Sequence, residues 1–392
     1  MSDRRWVLAA AAALAAAAAL CLPAAWGVPA ATASSGMLIG IYDEGATFFD
    51  DGTQTFTRYQ ALGVKVIRVN LYWGGRLGVA KTRPFDAADP RDAGYDWSLY
   101  DRVAQFASAY GIKLLFSITG TPRWANSGGS PNRPPTNFAD LRNFAYAAAA
   151  RYSGSYAGVD GRTLPAVRLW AAWNEPNNPS FLRPQYVRRG GKWVIQSAID
   201  YAKICNAVYN GVHATMFAGE QVACGVTGPR GNNSPTGARP SVAPITFLDA
   251  AKKAGMKTFD AYAHNPYYGS PIETPATKPP PTKGGGLPTA VTLGNIGDLI
   301  SEVTRLYGRK PVWITEYGYQ TKPPDTHFGV SWAAQARYLT QAFGIARKNP
   351  RISMMLWFLV RDEPLLSGWQ SGLITADGRR KPSYEAFRKL TH

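Results

Sequence analysis

From residue 36 onward one rhythm repeats to the end of the chain. A short apolar run is followed by a stretch whose apolar residues recur every three or four positions. The runs begin near Met37, Val64, Ile112, Val167, Gln221, Phe259, Pro311 and Ile352, and each reads as a strand followed by a helix. The second helical stretch puts Tyr100, Val103, Phe106, Ala107 and Tyr110 on one face and stops at Gly111. The third opens on Asn137 with Asp140 three residues on, a capping pattern. The sixth carries Leu293, Ile296, Leu299, Ile300, Val303, Leu306 and Tyr307 and closes on Gly308, and the seventh steps through Trp332, Ala336, Leu339, Phe343 and Ala346. Eight strand-then-helix units in a chain of 392 residues predict a (β/α)8 barrel, a TIM barrel, forming one α/β domain over residues 36–392. A doubly wound open sheet is the main rival. It is disfavoured because no glycine-rich phosphate loop follows the first run.

The first 33 residues stand outside this rhythm. Arg4 and Arg5 precede an unbroken apolar stretch at 6–22, and Ala31-Thr32-Ala33 fits a cleavage site, so residues 1–33 read as a signal peptide removed on export. Leu20 is too bulky for a lipoprotein signal ending at Cys21, and an alanine-rich stretch this short makes a weak membrane span. The mature chain is therefore expected to be soluble and secreted. Two cysteines remain, Cys205 and Cys224, which suit a disulfide or a pair of small buried thiols equally well. The four histidines are scattered and make no metal-ligand cluster. The formal charge is +17, from 43 Lys and Arg against 26 Asp and Glu. Those charges are dispersed, with no basic block and no nucleic-acid-binding motif, so no nucleic-acid partner is expected. An acidic polysaccharide gains little weight from charge so scattered.

Two long segments break the rhythm, 227–244 after the fifth strand and 269–292 after the sixth. Each lies between a strand and its helix, and a barrel places such loops on its catalytic face. They are expected to wall a cleft.

Barrel chemistry sits at the ends of the strands. The fourth run, VRLWAAWNEPN, ends with Asn174 and Glu175, and the seventh, KPVWITEYGY, ends with Glu316. A carboxylate closing an apolar run is costly without a partner or a purpose. By alternation Glu175 shares its side with Leu169, Ala171 and Trp173, and Glu316 with Val312 and Ile314, so both are predicted to face the barrel interior. Strands four and seven lie across the mouth of an eight-stranded barrel. Two facing carboxylates are what cleavage of a glycosidic bond requires. In VKVIRVNLYW, Val66, Arg68, Asn70 and Tyr72 share one face, and an arginine on the interior face needs an anion beside it.

With WNEPN and ITEYGY together, the chain resembles the clan A glycoside hydrolases, retaining β-glycosidases on (β/α)8 barrels, and within them families five and thirty-nine. The third strand, IKLLFSITGTPRW, lacks a histidine common in family five, which favours a relative of family thirty-nine. The resemblance implies Glu175 as acid/base, Glu316 as nucleophile and Asn174 as the partner of the sugar 2-hydroxyl. It places Arg68 beside the nucleophile, His264 and Tyr267 of AHNPYY near it, and Trp357 as the floor of the cleavage subsite. Trp73 and Trp124, just beyond strands two and three, either stack on sugars or cap the barrel. No cofactor and no metal is required. Glu316 is expected to be held below its ordinary pKa by Arg68, and Glu175 to be raised. The expected activity is retaining hydrolysis of a β-linked oligo- or polysaccharide. The alternatives are transglycosylation at the same site and a secreted carbohydrate-binding protein without catalysis.

Overall fold

A computed structural model describes residues 36–158, 161–282 and 286–392. The leader expected at 1–33 lies outside the described residues. Eight parallel strands close a barrel: β1 (Leu38–Tyr42), β2 (Val66–Tyr72), β3 (Lys113–Thr119), β4 (Leu169–Ala172), β5 (Gln221–Thr227), β6 (Ala261–His264), β7 (Val312–Tyr317) and β8 (Ile352–Phe358). Each pairs with its neighbours in sequence, and β1 closes the ring on β8. Every strand begins within two residues of the apolar run that announces it. The principal helices, from Gly52–Ala61 after β1 to Pro382–Thr391 after β8, alternate with the strands. A small hairpin, Tyr186–Arg189 with Lys192–Ile195, is inserted after β4.

The core has two layers, because a barrel strand is buried on both faces. Val66, Leu115, Leu169, Ala171, Ala223, Ala261, Ala263, Trp313, Met354 and Leu356 fill the barrel itself. Their neighbours along the strands, among them Ile67, Val69, Phe116, Trp170, Val222, Ile314 and Met355, pack outward against the helices. The expected caps form: the Asn137 side chain accepts from the backbone of Ala139 at 3.0 Å, and Gly111 and Gly308 take positive φ where their helices stop. Cys205 and Cys224 form a disulfide that ties the helix Gln196–His213 to β5. No helix among the described residues is long and apolar enough to cross a membrane.

Alternation fails at the two strand ends that matter most. Val312 and Ile314 pack outward and Trp313 inward, so a regular β7 would turn Glu316 out. The pairing with β8 runs Met355 opposite Ile314 but Trp357 opposite Tyr317. Two residues of β7, Thr315 and Glu316, therefore stand against one of β8, a bulge that returns Glu316 to the barrel mouth. β4 ends at Ala172, and Trp173 and Glu175 then adopt φ of 73° and 38°. That departure sends Trp173 into the outer layer, where its indole N–H donates to the Phe181 carbonyl at 2.8 Å. Such left-handed backbone in bulky residues is uncommon and concentrates at functional sites.

Candidate active site

Arg68 is the hub of the site. It rises from β2 with no solvent exposure, and its guanidinium is almost fully used. Nε donates to Ser117 Oγ of β3 at 2.9 Å, Nη1 to Glu316 Oε1 of β7 at 2.8 Å, and Nη2 to Asn174 Oδ1 beyond β4 at 2.8 Å. Longer bonds reach the Thr315 carbonyl and Asn70 Oδ1, and the Tyr42 ring lies 4.5 Å from the guanidinium carbon. A buried arginine fork satisfied from four strands fixes their relative positions at the barrel mouth.

Glu316 accepts from Arg68 on one oxygen and from the Tyr267 hydroxyl on the other at 3.2 Å. Glu175 is held by neutral donors only: Asn178 Nδ2 at 3.0 Å and Asn265 Nδ2 at 3.2 Å. The Asn265 amide also works to lower the pKa of Glu316, and its carbonyl accepts from Thr315 Oγ1 at 2.7 Å, which turns the NH2 toward the Glu175 carboxyl. Burial pushes Glu175 up to about 7, with the charge of Glu316 adding to the effect. Burial pushes Glu316 up as well, against the pull of Arg68 and Tyr267. The expected depression of Glu316 below the ordinary carboxylate range is not met, because desolvation of a fully buried group outweighs one ion pair. The order of the two survives: only Glu316 touches a cation, so a single proton on the pair rests on Glu175.

The cleft above them has a volume of about 860 Å³. Tyr42, Asn70, Tyr72, Asn174 and Tyr267 line its inner part, and Phe181, Phe328, Phe358 and Trp369 supply apolar faces. Glu44, close behind, accepts from the Asn70 backbone at 2.7 Å and the Tyr72 hydroxyl at 2.9 Å, and burial raises it to about 7.

Arg68, Asn174, Glu175, Tyr267 and Glu316 thus come together as the sequence suggests. Tyr267, not Tyr268, meets Glu316; Tyr268 stacks on Tyr319 with ring centres 4.0 Å apart. Two expected residues do not reach the cleft. His264 is wholly buried, with Nδ1 2.8 Å from Thr227 Oγ1 and Nε2 3.0 Å from the Val291 carbonyl. It anchors the loop after β6, and burial lowers its pKa to about 4. Trp357 is no subsite floor: it points outward from β8, buried among the outer layer, and its indole donates to the Ser371 carbonyl at 2.9 Å. Phe358 and Trp369 stand at the cleft in its place. Trp73 and Trp124 pack edge to face against each other and cap the barrel rather than line the cleft.

The loop at 227–244 walls the cleft through Pro229, Arg230 and Arg239. The loop at 269–292 mostly buttresses it, since Glu273 pairs with Arg230 at 3.2 Å. Asn265, and the walls supplied by 320–328 after β7 and 366–369 after β8, were not singled out in the sequence. Their only signal there is position after a strand.

Residues 291–387, which hold β7, β8 and Glu316, match a family model described as a glycosyl hydrolase catalytic core. Over that segment the chain is similar to a glycosyl hydrolase catalytic core, and the segment is part of a (β/α)8 barrel. Among solved structures the chain is similar to a family 39 glycoside hydrolase from Bacteroides cellulosilyticus WH2, at 19% identity and a TM-score of 0.60, over 90% of this chain and 63% of that one. It is also similar to a family 39 β-xylosidase from Caulobacter crescentus (19% identity, TM-score 0.57, 92% and 72% covered) and a glucosidase from Croceicoccus marinus (13%, 0.65, 92% and 68%). At these identities the likeness is one of fold, the (β/α)8 barrel. No curated protein matches the chain in sequence.

Proposed function

We propose that the protein is an exported retaining β-glycoside hydrolase that cleaves β-linked oligo- or polysaccharides by double displacement. The observation that carries this reading is the asymmetry of the two buried carboxylates. Glu316 is in contact with Arg68 and suited to stay charged; Glu175 is held by amides and suited to stay protonated. Glu316 attacks the anomeric carbon while Glu175 donates its proton to the departing oxygen. Glu175 then removes a proton from the water that releases the glycosyl-enzyme. Double displacement requires the two carboxyls to stand about 5–5.5 Å apart, against roughly 6.5–9.5 Å for inversion. The Asn174 carbonyl is taken by Arg68, which leaves its NH2 to bond the sugar 2-hydroxyl.

A panel of aryl β-glycosides and β-linked polysaccharides tests the reading. Turnover of at least one member is expected, with the β-anomer of the product appearing first in a proton NMR time course. First appearance of the α-anomer would assign inversion and remove Glu316 as nucleophile. The pH profile carries a sign of its own. Glu175 must hold its proton to act as the acid, and its pKa is about 7. On the active substrate, kcat/KM should therefore fall about tenfold per unit above that pH, and fall again on the acid side where Glu316 takes up a proton. A rate that rises through pH 7–9 contradicts the assignment.

Gly228 gives a third check. A Cβ built there would lie 2.8 Å from Glu175 Cδ and Oε2, so Gly228→Ala must displace the carboxyl. A loss of about 10²-fold in kcat/KM is expected for a misplacement near 1 Å, with the thermal unfolding curve nearly unchanged. Unaltered kcat/KM would show that the carboxyl position is not critical.

A further inference from the structure

We propose that the cleft continues, on the acid/base side, into a subsite that binds an anionic unit of the glycan, one bearing a carboxylate or a sulfate ester. The proposal deepens the hydrolytic reading and rests on it, because it takes the side of Glu175 as that of the leaving group.

A second hollow of about 620 Å³ adjoins the catalytic cleft, and Ser180 and Arg239 line both. Arg133, Arg183 and Arg239 edge this hollow, and among the described residues no carboxylate lines it. Arg68, Arg151, Arg168, Arg230 and Arg361 each pair with an Asp or Glu. Of the three around the hollow, Arg183 donates Nε to the Pro179 carbonyl at 2.7 Å, and Arg239 donates to Ser180 Oγ at 2.7 Å and Asn178 Oδ1 at 3.2 Å. Arg133 has no side-chain hydrogen bond or ion pair among the described residues. Guanidinium groups gathered without a counter-charge repel one another, and a bound anion removes that repulsion. Their planar donors match the two oxygens of a carboxylate or sulfate. Pro179, Pro184, Pro235 and Pro240 form part of the wall, so the backbone is restrained before a ligand arrives and little ordering remains to be done.

The link to catalysis is one residue long. Asn178 donates to Glu175 Oε2 and accepts from Arg239, so an anion in the hollow lies one side chain from the acid. The exposed face of Phe181, next to Ser180, offers a ring for the sugar between them. The three arginines come from three separate loops, which is why the charge looks dispersed along the chain and is concentrated in space.

The test pairs Arg133→Ser with Arg183→Ser, since neither arginine touches the carboxylate pair. The kcat/KM of this double variant on the active aryl β-glycoside should equal that of the wild type. Binding is then measured by titration calorimetry at low salt with Glu175→Gln enzyme, with and without the two arginine changes. The probes are cellotetraose, cellotetraose oxidised to the uronate at C6, sulfated cellotetraose and an eight-residue oligothymidylate. At least one anionic tetrasaccharide should bind at least about tenfold more tightly than the neutral one, and the double variant should lose that advantage. Which of the two wins names the anion. Equal affinity, no binding of any probe, or an advantage that survives the double change overturns the subsite. So does oligothymidylate bound as tightly as the better glycan, which would assign the arginines to phosphates in general. If wild type cleaves no aryl β-glycoside, the hydrolytic reading fails separately, and the binding comparison is still read on its own.

Discussion

Glu316→Ala is expected to lower kcat on the active aryl β-glycoside by at least about 10⁴-fold, and added azide is expected to restore turnover with an α-glycosyl azide as product. Alanine removes the attacking oxygen and leaves a gap at the anomeric carbon that a small anion fills. Azide then attacks from the face Glu316 used, and no second displacement follows, so the configuration is inverted. Glu175→Ala should behave differently in two ways. Its loss in kcat/KM should be small for a leaving group that departs without protonation, such as dinitrophenolate, and large for a sugar or alkyl alcohol. Its azide product should be the β-anomer, because the glycosyl-enzyme still forms and azide takes the place of water. Identical products from the two variants would refute the division of roles, and a Glu316→Ala enzyme at wild-type rate would refute the site. The geometry sets the expectation: Glu316 has its oxygens fixed by Arg68 at 2.8 Å and Tyr267 at 3.2 Å, and among the described residues no other carboxylate of the cleft is oriented by a cation in contact.

The sequence made the barrel legible because its helices are amphipathic and its strands are short, apolar and bounded by turns. It was less able to say which way a strand residue points. Alternation separates the two faces of a strand only when one face is polar. In β2 the polar set Arg68, Asn70 and Tyr72 marked the inner face, and the unbroken register from Val66 to Tyr72 kept it there. In β8 every residue from Met354 to Phe358 is apolar, so nothing in the pattern showed that Met354 and Leu356 fill the barrel while Trp357 packs outward. Glu175 and Glu316 reach the mouth by a route alternation does not contain, a backbone turn after Ala172 and a bulge at Thr315–Glu316. His264 shows a related limit. The resemblance pointed to the right strand end, but the residue that touches a carboxylate is the next one, Asn265. The walls after β7 and β8 were missed because a loop's position over the cleft depends on packing at its far end. Lys381 supplies part of that packing, donating to Asp362 and Thr321 at 2.8 Å each.

Arg68→Met should be the most damaging change outside the carboxylate pair, in activity and in stability together. Methionine keeps an unbranched apolar stem and removes the charge and all its donors. Glu316 then loses its only contacting cation while remaining buried, so its pKa rises further. Removing one partner of a buried ion pair costs about 3–5 kcal/mol, which corresponds to roughly 10²–10³-fold or more in kcat/KM if the loss falls on the charged nucleophile. The pH dependence separates this account from simple misfolding. A carboxyl whose folded pKa lies above its unfolded value stabilises the fold below the unfolded pKa, near 4, and that contribution is lost as pH rises through the folded pKa. The melting temperature of the variant, relative to wild type, should therefore be closest at pH 4–5 and fall away toward pH 8. The acid limb of its residual activity should move to higher pH, since a larger fraction of Glu316 is protonated at any given pH. Arg68→Lys provides the control: it restores a positive charge but reaches neither Ser117 nor Asn174 as a fork does. It should recover much of the pH-dependent stability and little of kcat/KM. A deficit independent of pH in Arg68→Met, with no recovery in Arg68→Lys, would show that Arg68 acts through packing alone and that the charge of Glu316 is held by something else.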